Sequence, residues 1–113
     1  MGADCTIKLS LGEAVPVISV SGELTAEAEE EFLNTYASIP EDSRKRVVVD
    51  FTDTRYINSA GIAVLINVIT RASDLDHKVE FCGLNLHLKR VIDIVGLADH
   101  VQIHDTLNSA LLA

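Results

Sequence analysis

Aromatic residues are scarce in this chain: no tryptophan, two tyrosines and three phenylalanines among 113 residues. A core built from such a sequence is expected to be aliphatic. Basic residues are few as well, nine Lys and Arg against seventeen Asp and Glu, for a formal net charge of −8. That balance argues against nucleic acid or an anionic membrane as partner, since both demand a basic footprint. It leaves room for a basic protein partner. No apolar run is long enough to span a bilayer, because the longest, Ala60 to Ile69, is short and broken by Asn67. Direct membrane insertion is therefore not expected. Only two cysteines occur, Cys5 and Cys82, far apart and each in a strand-like run. They read as buried thiols of a cytosolic protein rather than as a disulfide. The opening "MGADCTIKLS" places an acid where a signal peptide needs bases, so a cytoplasmic location is expected. Beyond Gly2, only Thr6 matches a myristoylation pattern, so that reading is set aside.

What is present is a run of alternating β and α patterns. Ile7, Leu9 and Leu11 alternate with polar residues from Thr6 to Leu11, as a half-buried strand does. A turn at Gly12-Glu13 leads into a second strand, Ala14 to Ser21, giving an antiparallel hairpin with Pro16 near the start of its second arm. Thr25 is the expected N-cap of a helix whose first turns carry Glu27, Glu29, Glu30 and Glu31. Phe32, Leu33 and Tyr36 form its apolar side, and Pro40 ends it. Arg46 to Phe51 is a continuous apolar strand of the kind found inside a parallel sheet. A very apolar helix runs from Ser59 to Leu75, and "KVEFCGL" is the next strand. Asn85 caps a further helix with a stripe of Leu88, Val91, Ile92 and Val95, and Gly96 stops it. A short strand, Val101 to His104, precedes a last helix, for which Asp105 is the expected cap and which carries Leu107, Ala110 and Leu111. The order β-β-α-β-α-β-α-β-α predicts one α/β domain over 1–113: a mixed sheet, N-terminal hairpin plus parallel strands, with about four helices.

The chemistry must lie near "RYINSAGIAVLI", since other candidates fail. Around Ser59 only the second glycine of a G-x-S-x-G elbow is present, and no base and acid are placed to activate it. One glycine and no following lysine make no phosphate loop. His100 and His104 lie on one strand, too far apart for a shared metal, and His77 and His87 have no partner by spacing, so all four are expected at the surface. No catalytic residue, cofactor or metal is expected, and the chain reads as a binding module rather than an enzyme. Asn58 or Ser59 could simply cap the helix. On the helical wheel, Leu65, Val68, Ile69 and Ala72 form the core face. Ile66 falls outside it, near Ala63 and Thr70 and on the side of Ser59. A turn of small residues, a hydroxyl and an exposed aliphatic strip together resemble a protein-docking patch.

Three blocks then carry a resemblance. "VVVDFTDTRYINSAGIAVLI" resembles the signature of the STAS domain, "SGELTAEAEEEF" resembles the G-E-L-D block of that family, and "RVIDIVGLADHVQIHDTLNSAL" is similar to its final strand and helix. Standalone STAS domains of this length are mostly bacterial anti-sigma-factor antagonists. The resemblance implies that Ser59 is phosphorylated by a serine-kinase anti-sigma factor. It implies that the unphosphorylated form binds that kinase and releases the sigma factor, and that a PP2C-type phosphatase reverses the modification. Carried over with it is a partner surface made of Glu23, Thr25, Asn58, Ser59 and Ala60, continuing through Gly61, Ile62, Ala63 and Ile66. Asn58 and Thr25 stand where the family usually has Asp. Related roles are a small STAS subunit of a lipid-transport ATPase complex and a subunit of a large STAS signalling assembly.

Overall fold

The computed structural model describes residues 5–11 and 15–113. The expected turn at Gly12-Glu13, and Ala14 after it, lie outside the described residues. The elements on either side form the expected hairpin: β1 (Cys5–Ser10) pairs antiparallel with β2 (Val17–Leu24). Pro16 lies just before β2, where its carbonyl accepts from the Val48 amide at 3.0 Å.

A 3-10 turn (Ala26–Ala28) leads into α1 (Glu29–Ser38), followed by β3 (Arg46–Asp50), β4 (Thr54–Ile57) and α2 (Ser59–Asp74). Then come β5 (Lys78–Cys82), α3 (Leu86–Ile94), β6 (Gln102–His104) and α4 (Leu107–Leu112). The sheet runs β1-β2-β3-β5-β6, with β4 also paired to β2, and every pairing beyond the hairpin is parallel. The expected mixed sheet and four helices are therefore present. β4 is an additional strand that the sequence pattern did not mark. It is four residues long, and only its end residues, Thr54 and Ile57, are buried, so it shows neither alternation nor a continuous apolar run.

Alternation along β3 and β5 divides the core into two layers. Val47, Val49, Val79 and Phe81 belong to the main layer shared with α1, α2 and α3. Val48 and Cys82 point the other way and pack with Val15, Val17 and Ala110 of α4. The core is aliphatic with one qualification: Phe32, Phe51 and Phe81 are all fully buried, and Phe51 meets Phe81 edge-on at 5.0 Å. Cys5 and Cys82 are both free thiols. Cys82 is fully buried, and its Sγ donates to Asp50 Oδ1 at 3.6 Å.

Four local expectations are corrected. Thr25 makes no side-chain capping bond. It precedes the 3-10 turn, and α1 begins only at Glu29, where Glu29, Glu30 and Glu31 supply the charge that favours a helix start. Thr106, not Asp105, caps α4, because Thr106 and Ser109 exchange side-chain and backbone bonds as a capping box. Asp105 instead reaches Lys89 Nζ at 3.3 Å. Val95 is exposed at the end of α3, just before Gly96 turns the chain at φ 82°. His104 is not a surface residue: its Nε2 lies 2.8 Å from Glu80 Oε1, and each side chain is under 10% exposed. Half-buried Arg46 completes this network, donating to both Glu80 oxygens (2.8 and 2.9 Å) and to the Ala110 carbonyl of α4 (2.7 Å). The Arg46 guanidinium holds the Glu80 carboxyl below its ordinary range against the opposing effect of burial.

Candidate functional site

The site forms where two parallel strands end side by side. β2 pairs with β3 through Ser19 and then with β4, Gly22 against Thr54 and, after a register shift at Gly22/Glu23, Glu23 against Tyr56 and Leu24 against Ile57. Buried Thr54 fixes this fork, its hydroxyl donating to the Val20 carbonyl at 2.6 Å. One step past the paired ends, the Asn58 amide donates to the Leu24 carbonyl at 3.2 Å. Thr25 and Asn58, more than thirty positions apart in sequence, are thereby carried to the same end of the sheet.

Asn58 then caps α2. Its Oδ1 accepts from the Gly61 amide at 2.8 Å, and its carbonyl accepts from Ile62 at 2.9 Å. Gly61 is buried against the Leu24 carbonyl and Ile57 Cγ2, so closely that a Cβ would collide with backbone. The start of α2 is thus pressed onto the end of β2, and only glycine allows that approach. Ser59 is exposed on the first turn, and among the described residues its hydroxyl makes no hydrogen bond.

The residues named from the sequence divide in two. Ser59, Ala63 and Ile66 are exposed, and Asn58, Ala60, Thr25 and Glu23 are half-buried around them. Ile66 is 45% exposed on a helix whose neighbours Val64, Leu65 and Val68 are buried. Gly61 and Ile62 are buried, so they hold the turn against the sheet instead of presenting side chains. Glu23 also faces Arg55 Nη2 at 3.9 Å. Thr54 and the Leu24 carbonyl were not named from the sequence. A carbonyl leaves no sequence signal, whereas Thr54 is one of two threonines in "DFTDTRY", with nothing in the pattern to single it out.

Among the described residues no group of three His, Cys, Asp or Glu side chains is arranged to hold a metal, and no helix is long and apolar enough to cross a membrane. What the arrangement offers is a rigid, small-residue turn presenting one free hydroxyl at the positive end of a sixteen-residue helix.

Several solved structures share the fold. An anti-sigma factor antagonist from Mycobacterium paratuberculosis is 21% identical with a TM-score of 0.82, over 99% of this chain and 97% of that one. An anti-sigma-factor antagonist (STAS) domain protein from Planctomyces limnophilus is 19% identical with a TM-score of 0.79, over 99% and 97%. The Bacillus cell fate determinant SpoIIAA, in its phosphorylated form, is 16% identical with a TM-score of 0.71, over 93% and 96%. The STAS domain family model itself matches residues 7–110, and this chain, with its parallel strands ending at a tight Asn-Ser-Ala-Gly turn, belongs to the STAS domain family.

Proposed function

We propose that this chain is a cytoplasmic anti-sigma-factor antagonist, a binding module whose unphosphorylated form engages a serine-kinase anti-sigma factor and which is switched off by phosphorylation of Ser59. The observation that carries the reading is the division of labour at the start of α2. Asn58 performs the capping, so the exposed Ser59 hydroxyl is left without a structural task. A phosphate there meets the first-turn amides and the positive end of the helix dipole, so the fold tolerates it. It adds about −1.5 to −2 charge to a docking surface of small and aliphatic residues, which the partner does not tolerate. The Bacillus relative, solved in a phosphorylated form, gives the reading a precedent on this fold. A PP2C-type phosphatase is the enzyme that would reset the switch.

The experiment compares Ser59→Ala and Ser59→Asp with the wild type, using the purified kinase anti-sigma factor and ATP. Both variants fold. Ser59→Ala binds the kinase and resists phosphorylation. Ser59→Asp binds far more weakly, since an unpaired charge buried at an interface costs several kcal/mol. Equal affinity of the two variants for the kinase would defeat the switch.

A further inference from the structure

A groove of about 560 Å³ runs between the second half of α2 and the chain that leaves α3. Ile66, Ile69 and Thr70 form one wall, and Val95, Gly96 and Leu97 form the other. The groove exists because Gly96 turns the chain sharply at the end of α3, which leaves Val95 44% exposed opposite Ile66 at 45%. Aliphatic groups facing each other across an open groove are what an amphipathic segment covers. Between Ile66 and Asp74 the α2 wall is about 12 Å long, room for roughly two turns of a partner helix.

Charge narrows the choice of occupant. Asp74 and Asp99 are the groove's charged side chains, and no Lys or Arg is among the described residues lining it. The whole chain carries a net charge of −8. A second copy would bring the same acids and the same excess of negative charge to the contact, and an anionic lipid surface would be repelled likewise. We infer that this groove is a docking site for a basic amphipathic helix of a partner protein, with apolar residues seated between Ile66 and Val95 and Lys or Arg set against Asp74 and Asp99. It lies beyond the Ser59 turn along α2, shares only Ile66 with the surface proposed there, and does not depend on phosphorylation of Ser59.

The test is a nitrogen–proton correlation NMR titration of the full chain with a helical leucine–lysine peptide and with its leucine–glutamate counterpart. The lysine peptide should shift the resonances of Ile66, Thr70, Val95 and Leu97, and the glutamate peptide should leave them in place. The double variant Asp74→Lys/Asp99→Lys should weaken the lysine peptide on the order of tenfold or more. The milder Asp74→Asn/Asp99→Asn variant should weaken it less, with an unchanged melting curve, which separates lost docking from lost folding. Shifts confined to the Glu27–Glu31 stretch of the chain, equal binding of the two peptides, or unchanged affinity in both double variants would overturn the proposal. Groove shifts that appear on concentrating the protein alone would overturn it too, by showing a second copy in the groove.

Discussion

The first turns of α2 and α3 are closed by the same residue in the same geometry. Asn58 Oδ1 lies 2.8 Å from the Gly61 amide, and Asn85 Oδ1 lies 2.8 Å from the Leu88 amide. Neither first turn carries an acid. The difference is what stands at the capped position. In α3 it is Leu88, fully buried in the core. In α2 it is Gly61, which has no side chain to bury and could not accommodate one. One helix is held by a side chain that enters the core, the other by a backbone brought close enough to touch a strand end. The second design keeps the turn small and leaves the residue after the cap free to serve something else. A cap alone therefore does not distinguish the two turns, whereas the glycine against a strand end and the spare hydroxyl do.

Opposite substitutions sharpen this contrast most strongly. Leu88→Ala removes a buried side chain and should cost about 2–5 kcal/mol in a denaturant titration. Gly61→Ala adds one methyl where backbone stands and should cost about 1–3 kcal/mol, despite the better helix propensity of alanine. A neutral or stabilising Gly61→Ala would erase the distinction between the two helix starts. Next in size are the caps: Asn58→Ala and Asn85→Ala should each lose about 1 kcal/mol of unfolding free energy, within a few tenths of one another. Smaller again is Ser59→Ala, whose stability should stay within about 0.5 kcal/mol of wild type because Asn58 retains the cap. A loss as large as that of Asn58→Ala would return Ser59 to a structural role.

The smallest effect concerns acid. The folded Glu80 carboxyl titrates below its unfolded value, chiefly through its bonds to Arg46. Its contribution is therefore fully present above the ordinary carboxylate pKa and is lost as pH falls through the lower folded value. Acidification to below the ordinary carboxylate range should loosen α4, which Arg46 grips at Ala110, before it disturbs either asparagine cap. Glu80→Gln should flatten that acid dependence in pH-resolved melting curves. Equal acid response at α4 and at the two caps would show that the network carries no such linkage.

Much of this was legible in the sequence, and the rest was hidden for identifiable reasons. The hairpin, the valine-rich β3, the Asn85 cap and the Gly96 stop are local signals, and local chemistry decided them. The helical wheel placed Ile66 and Ala63 at the surface because α2 is regular and long. It could not show that Gly61 and Ile62 are buried, since that depends on where β2 ends. β4 was hidden because its partner is β2, over thirty residues away. His104 read as a surface residue because its partners, Glu80 and through it Arg46, come from other strands. Glu80 itself was the available clue: an acid in the middle of "KVEFC" needs a partner if it is buried.

Cys82 bears on how the molecule meets oxidants. Burial, then the neighbouring Asp50 carboxylate, push its thiol up to about 12. At neutral pH on the order of one such thiol in a hundred thousand is ionised, and the sulfur lies out of reach of solvent. Cys5, half-buried and raised first by burial and then by Glu31, is the thiol that an alkylating reagent or peroxide meets first. Peroxide or a disulfide reagent has no ready handle on the sheet beneath α4, and Cys82 should remain reduced in a cell whose thiol balance swings widely.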